Sequence, residues 1–139
     1  MYKPDLESIS PDSGHSYKYA YFDKSSPNTN KVKWHYHPEI ELVYINFGVG
    51  KRQVGTHLSN YQSGDLILIG SYLPHTGFTK GFEENQKEIV VQFKPDIFEK
   101  AFQNLEELKL INQLLELSKK GIVFEGPIKE DIGLRMEGL

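Results

Sequence analysis

Short apolar runs separated by turn residues dominate the chain between residues 17 and 93, and they predict an all-β domain. The runs recur about every ten residues, which is typical of a sandwich or a small barrel. The run DLILI is apolar at successive positions, which favours a strand packed on both faces. The predicted strands are Tyr17–Phe22, Ile40–Phe47, Lys51–Gly55, Leu58–Tyr61, Asp65–Ile69, a stretch after Pro74, and Lys87–Phe93.

The pattern changes after Phe93 to apolar residues three and four positions apart, which predicts a helix over Asp96–Lys120. The GIVFEG segment that follows reads as a short extended piece. A second helical pattern begins at Pro127 and stops in mid-pattern at Leu139, as expected of a chain cut from a longer protein.

Three segments follow from these patterns. Residues 1–16 contain two prolines and several turn formers and predict an N-terminal arm with little structure of its own. Residues 17–95 form the β domain, and residues 96–139 form a helical segment for dimerisation or for a linker.

Composition narrows the class of protein. The 16 Lys and Arg residues against 19 Asp and Glu give a net charge of −3, which argues against a module built to neutralise phosphates. The absence of cysteine excludes disulfides, thiolate metal sites and cysteine nucleophiles. No run approaches the roughly 18 apolar residues of a spanning helix, and the N-terminus lacks a secretory signal, so we expect a cytoplasmic protein.

The segment WHYHPEIEL carries the most informative chemistry. If the segment is extended throughout, His35, His37 and Glu41 lie on one face of a strand, beside an apolar interior. Pro38 cannot donate a ladder hydrogen bond, so a bulge there could shift this alternation by one residue. A fourth candidate, His75, follows Pro74 near the end of a later strand.

Three imidazoles and one carboxylate suit a single divalent metal ion such as zinc, nickel, iron, cobalt or manganese. Two histidines in an H-x-H pattern are more often a hydrogen-bonded core pair or a solvated pair. The added same-face Glu41 and the Pro-His pair favour the metal site made by His35, His37, Glu41 and His75.

A small β domain can also hold one ligand in a mouth that aromatic and polar side chains surround. Aromatic residues of a β domain are more often core residues than pocket residues, and this alternative applies to each candidate. The candidate ligand-binding residues are Trp34, Tyr36, Tyr44, Arg52, Tyr21 and Phe78.

The apolar stripe of the long predicted helix is wide enough to pack against two different surfaces. It could pack on its own β domain, or it could face a second copy of the chain in a homodimer. Lys119 and Lys120 are too few charges for a nucleic-acid patch. The candidate dimerisation residues are Leu105, Leu108, Ile111, Leu114 and Leu115.

The two histidine-bearing stretches together resemble the N-terminal regulatory domain of AraC-family transcriptional regulators. The stretches are HYHPEIELVYINFGVGKRQVG and YQSGDLILIGSYLPHTGF, within a resemblance that covers residues 17–121. The first is similar to the first cupin motif, with H-x-H, Glu41 and Gly48. The second resembles the second cupin motif but lacks a further glycine between Pro74 and His75, and no asparagine follows.

The resemblance implies a cupin double-stranded β-helix, a small barrel, followed by helices that pair two protomers. It implies a non-enzymatic domain that binds a small-molecule effector, often a sugar, in the barrel mouth, sometimes beneath the N-terminal arm. DNA would be bound by a helix-turn-helix domain beyond these residues. Two alternatives stay open: a small metal-dependent cupin enzyme (a dioxygenase, isomerase or lyase) and a sugar-binding module without a regulatory role.

Overall fold

The strands are short and follow one another through tight turns, as the spacing of the apolar runs predicts. The computed structural model describes residues 3–29, 33–77, 81–98 and 105–139, and it is about 34% strand and 20% helix. The prediction of a mainly β domain followed by C-terminal helices is confirmed. The strands are β1 (Asp5–Leu6), β2 (Tyr17–Asp23), β3 (His35–Tyr36), β4 (Ile40–Ile45), β5 (Gly50–Val54), β6 (His57–Tyr61), β7 (Asp65–Ile69), β8 (Lys87–Phe93) and β9 (Ile122–Val123).

A five-stranded antiparallel sheet in the order β2-β8-β4-β7-β9 forms the centre of the molecule. All five residues of β7 are buried, which confirms that this strand is packed on both faces. Val43 and Ile45 of β4 pack against Val54 and Tyr61 from outside this sheet, whereas Tyr44 between them belongs to a second apolar cluster. Alternate residues of β4 therefore serve two different cores.

A smaller β layer covers one face of the central sheet. It consists of the parallel pair β1–β3 and the antiparallel pair β5–β6, and His75 joins them through bridges to His35 and to Val54. The described strands form no closed barrel, so the predicted cupin double-stranded β-helix is not confirmed. The expected single extended run through Pro38 is interrupted as well, because β3 ends at Tyr36 and β4 begins in the other layer.

Two helices lie after β8, one on each side of β9 in the sequence. They are α1 (Glu106–Leu117), extended by a 3-10 turn at Ser118–Lys120, and α2 (Ile128–Glu137). α2 packs on the outer face of the central sheet, where Met136 is buried beside Tyr44. Gly133 lies directly against the Tyr44 ring, where any side chain would collide with it. Within the described ranges, neither helix has the length and apolar character needed to cross a bilayer.

The predicted start of the long helix differs from the structure. Residues 95–98 form turns instead of helix, and residues 99–104 lie outside the described residues. The arm also differs from the prediction, because it contains β1. The N–H of Asp5 donates to the carbonyl oxygen of Trp34 at 3.0 Å, and that of Glu7 donates to Tyr36 at 2.9 Å.

A buried ion pair links the two β layers. Arg52 of β5 donates from Nη1 to Oδ2 of Asp65 of β7 at 2.9 Å, and the side chains are only 5% and 2% exposed. Burial raises the pKa of Asp65 from 3.8 to about 6, although the charge of Arg52 opposes this shift. The contribution of Asp65 to stability is therefore greatest below its unfolded pKa and falls as the pH rises through about 6.

Arg52→Met should lower the free energy of unfolding by about 3–5 kcal/mol at about pH 8, because it leaves a buried carboxylate without its counter-charge. The loss should be smaller at about pH 5, since Asp65 without Arg52 becomes protonated more readily. Urea denaturation at the two pH values measures both effects. Lys109→Met, which breaks the exposed pair with Glu106, is the control and should cost less than about 1 kcal/mol. An equal loss for Arg52→Met at both pH values would contradict this account of Asp65.

Candidate functional site

Three histidines converge where the two β layers meet. His35 lies in β3, His37 follows that strand, and His75 pairs with His35 through the main chain. One ring nitrogen from each lies within 4.8 Å of the other two, and all three residues are buried. The ring centroids of His35 and His75 are 4.3 Å apart, and those of His37 and His75 are 5.1 Å apart.

Main-chain carbonyl groups orient all three rings. In each histidine, Nδ1 lies within hydrogen-bonding distance of the carbonyl oxygen of a residue two positions away. The distances are 2.7 Å from His35 to Lys33, 3.1 Å from His37 to Glu39, and 2.8 Å from His75 to Leu73. Because a carbonyl oxygen can only accept, each Nδ1 carries the proton, and Nε2 of a neutral ring keeps a free lone pair. This arrangement is common in histidines that bind metals.

Glu41 of β4 approaches the cluster from the central sheet. Its Oε2 lies 2.7 Å from Nε2 of His75 and 3.8 Å from Nε2 of His37. Its other oxygen, Oε1, accepts a hydrogen bond of 2.9 Å from Nε2 of Gln92, which is its neighbour on β8. The four residues that the sequence predicts as metal ligands, His35, His37, Glu41 and His75, lie next to one another. Gln92, which the sequence pattern did not single out, contacts this group through Glu41.

Two of the three Nε2 atoms in the cluster make no aligned hydrogen bond among the described residues. Nε2 of His37 and Nε2 of His75 are buried without one, and the contact between His75 and Glu41 is close but not aligned as a hydrogen bond. Buried polar atoms are rarely left in this state, so these two nitrogens are candidate ligand atoms.

These donors fit a divalent cation, because imidazole nitrogens and one carboxylate suit zinc and its neighbours. A single ion bound about 2.1 Å from each nitrogen allows separations of up to about 4.2 Å, so the rings need to move inward by less than about 1 Å. The three histidines are thus the described residues whose ligand atoms already lie close enough together to hold a metal, and Glu41 lies beside two of them.

Burial and neighbouring charges shift the pKa values of Glu41, His35 and His75 in different directions. Burial would raise the pKa of Glu41, but His75 and His37 outweigh it, and the pKa lies well below its ordinary value. Burial lowers the pKa of His35. For His75, burial alone would lower the pKa, but the adjacent Glu41 carboxylate and the carbonyl oxygen of Leu73 together outweigh burial and raise it. The cluster therefore holds an ionised carboxylate beside rings with different tendencies to take up a proton.

A second carboxylate reaches the cluster from the N-terminal arm. Oε2 of Glu7 lies 3.2 Å from Nε2 of His35, and the Glu7 side chain is 35% exposed. The sequence carries no signal for this contact, because Glu7 lies in a segment without regular alternation. It reaches the cluster only because β1 pairs in parallel with β3, with Asp5 opposite His35.

A cavity of about 350 Å³ adjoins the histidine cluster. Its wall includes His35, His75, Glu7 and Glu41 together with residues of β2 and β8. The strand residues include apolar groups and polar groups on the same faces: Ala20, Phe22, Val90, Lys18, Glu88 and Gln92.

The candidate ligand-binding residues on the strands lie away from this cavity. Tyr21 is 44% exposed, on the opposite face of β2 from Ala20 and Phe22, which line the cavity. Tyr44 points to the outer face and α2, and the guanidinium of Arg52 is taken up by its ion pair. The alternation of side chains along a strand explains the two tyrosines, since the residue next to a cavity residue faces the other way.

Two further aromatic candidates, Tyr36 and Trp34, do not line the cavity either. Tyr36 is half-buried, with its ring 6.4 Å from that of Tyr72, and Trp34 is half-buried just before β3. Phe78 lies outside the described residues. The polar residues Lys18, Glu88 and Gln92 occupy the wall instead.

The candidate dimerisation residues, which lie on α1 and at its N-cap Leu105, divide into two groups by exposure. Leu108, Ile111 and Leu115 are half-buried, whereas Leu105 and Leu114 are 48% and 37% exposed. Two leucines that were not among the candidates are more exposed, Leu110 at 70% and Leu117 at 63%. With Leu114 they recur at the spacing of one helical face, so α1 presents an exposed apolar stripe of Leu110, Leu114 and Leu117.

No protein-family model matches the sequence, and no curated protein matches it either. The structure is similar to the crystal structure of apo ToxT K231A from Vibrio cholerae strain SCE256, with a TM-score of 0.51 and 13% sequence identity. The match covers 93% of this chain and 49% of that chain, so these residues span about half the length of ToxT, an AraC-family regulator. At this identity the similarity shows the fold alone.

Proposed function

We propose that these residues form the effector-binding domain of an AraC-type transcription regulator. The observation that carries the proposal is the cavity between the two β layers, adjoined by the histidine cluster and by the arm strand β1. The similarity of the fold to half of a regulator that is about twice as long supports it. In this role the domain binds a small molecule and catalyses no reaction.

The chemistry of the cavity wall indicates the class of effector. Ala20, Phe22 and Val90 offer apolar contact, while Lys18 and Gln92 offer hydrogen-bond donors beside them. A small polar molecule with both C–H and hydroxyl faces complements such a wall, and a sugar belongs to this class. Binding would shift the equilibrium between two arrangements of the arm and the helices. The size of the shift is set by the difference in the affinity of the effector for the two arrangements.

The same proposal includes one divalent metal ion held by His35, His37, His75 and Glu41. The orphaned Nε2 atoms and the orientation of the rings by main-chain carbonyls support it. A bound ion would supply a Lewis-acidic centre on which a polar effector could be anchored. Gln92 would position Glu41, because its amide holds one carboxylate oxygen and directs the other toward the histidines.

Dimerisation through α1 completes the proposed regulator. No residue of α1 is buried in this chain, and the stripe of Leu110, Leu114 and Leu117 is exposed. A second copy of the helix would cover this stripe in a homodimer. DNA would then be bound by a helix-turn-helix domain outside these 139 residues.

A metal-dependent enzyme is the second candidate function, and the histidine cluster is the observation that favours it. Three imidazoles and one carboxylate leave coordination positions open for water or substrate next to a cavity. Conversion of a bound compound by the metal-loaded protein would favour the enzyme. Binding without conversion favours the sensor.

The metal proposal predicts that protein stripped of metal binds one equivalent of Zn²⁺ in a calorimetric titration. His75→Ala and His37→Gln should each weaken binding by more than about 100-fold, because each removes a nitrogen ligand. His57→Ala, which alters an exposed histidine of β6, is the matched control and should bind as the parent does. Negligible binding by the parent, or unchanged binding by folded His75→Ala, would refute the metal site.

The effector proposal predicts that a member of a panel of monosaccharides and other small polar metabolites raises the melting temperature by several degrees. A compound at about 100 times its Kd stabilises the native state by roughly 2.7 kcal/mol. Ala20→Leu, which fills the cavity, should abolish the shift, and Lys18→Met should reduce it. Tyr21→Phe on the opposite face of β2 is the control and should keep it. A shift that persists in Ala20→Leu would place the binding site elsewhere.

The dimer proposal predicts that the parent sediments as a dimer and that Leu110→Glu combined with Leu117→Glu sediments as a monomer. Two charges on the apolar stripe would have to be buried without partners in the dimer. Asn112→Glu adds a charge to α1 at an exposed polar position on the other side of the helix and should leave the dimer intact. A parent that is monomeric at high concentration would contradict the proposal.

A further inference from the structure

The N-terminal arm meets the histidine cluster through one side chain, that of Glu7. Main-chain hydrogen bonds from Asp5 to Trp34 and from Glu7 to Tyr36 hold β1 beside β3. This pairing places Oε2 of Glu7 3.2 Å from Nε2 of His35. The Glu7 side chain also lines the cavity, so it lies between the arm, the cluster and the cavity.

Two carboxylates contact the three imidazole rings: Glu41 lies beside His37 and His75, and Glu7 lies beside His35. Oε2 of Glu41 lies within 4 Å of Nε2 of both His37 and His75, and Glu7 supplies the carboxylate oxygen next to Nε2 of His35. Each nitrogen that could bind a metal therefore has a carboxylate oxygen beside it. These oxygens come from segments far apart in the sequence, one in the central sheet and one in the arm.

We propose that Glu7 is a further ligand of the divalent metal held by the histidine cluster, so that metal binding fixes the N-terminal arm beside the cavity. This inference rests on the metal site of the proposed function. Divalent ions of this group accept carboxylate oxygen together with imidazole nitrogen, and they expand to five ligands when a further donor is near. Glu41 is a buried ligand of the sheet, whereas Glu7 is a partly exposed ligand that the arm brings to the site.

The arm makes this role measurable, because its attachment can be followed separately from metal affinity. The N–H groups of Asp5 and Glu7 are hydrogen-bonded only while β1 is paired with β3. Their hydrogen exchange therefore reports how firmly the arm is held. Metal that binds Glu7 should slow exchange in the arm, and metal that binds only the histidines and Glu41 should not.

The test compares Glu7→Gln with the parent and with Asp5→Asn. Glu7→Gln keeps the size of the side chain and removes its charge, while Asp5→Asn removes a charge from an exposed residue of the same strand. Zn²⁺ affinity is measured by competition with a chelator. Exchange of residues 3–10 is followed by mass spectrometry with and without Zn²⁺.

We expect Glu7→Gln to weaken Zn²⁺ binding by about 10-fold to 100-fold and to lose the Zn²⁺-dependent protection of the arm, whereas Asp5→Asn retains both. Unchanged affinity and protection in Glu7→Gln, together with loss of binding in His75→Ala, would overturn this inference and leave the metal site standing. A parent that binds no Zn²⁺ would overturn both. A drop in affinity shared equally by Asp5→Asn would show a general effect of arm charge and would also overturn the inference.

Discussion

The main-chain pairing of His75 is the interaction on which the rest of the site depends. His75 exchanges two main-chain hydrogen bonds with His35, of 3.0 and 2.9 Å. On either side of His75, the carbonyl oxygen of Pro74 accepts from the N–H of Gly55, which follows β5, and the N–H of Thr76 donates to Gln53 of β5. Residues directly opposite each other in a sheet carry their Cβ atoms about 5 Å apart. The pairing therefore brings the rings of His35 and His75 together before any metal or ligand contributes. Through its bridges to His35 and Val54, His75 also joins β1–β3 to β5–β6. The same residue therefore holds the smaller β layer together and positions the histidine cluster.

The interruption at Pro38 lets one short segment supply ligands from both layers. β3 belongs to the small layer and β4 to the central sheet, and the chain crosses between them at residues 37–39. The crossing is held by residues after β7: the N–H of Tyr72 donates to the carbonyl oxygen of His37 at 2.8 Å, and the Ser71 hydroxyl donates to that of Pro38. His37 and Glu41 therefore converge because the chain turns between two sheets, and not because they share one continuous strand.

The pattern of apolar runs and turn residues predicted most of the strands, because where a strand begins and ends depends largely on residues close to it in the sequence. The bounds of β7 and β8 agree with the apolar runs that predict them. Residue types also sufficed to bring the histidines and Glu41 into one hypothesis. The alternation of side chains along a strand does not show which face of the strand lines a cavity. Tyr21 and Tyr44 were therefore candidates for the cavity wall, although Ala20 and Gln92 line it instead. Glu7 could not be predicted, because its position depends on a pairing between segments about thirty residues apart.

The Glu7 contact matters because β1 is held to β3 by few hydrogen bonds. The strand has two residues, and the arm is joined to β3 through two main-chain hydrogen bonds at Asp5 and Glu7. Each such bond contributes about 1 kcal/mol net, while ordering each residue of the arm costs about 1–2 kcal/mol. Those two bonds alone therefore do not offset the entropy lost on ordering residues 5–7, so β1 needs further contacts to stay paired. A charge-assisted or metal-bound contact contributes a few kcal/mol, which is the size of that deficit, and Glu7 is positioned to make it.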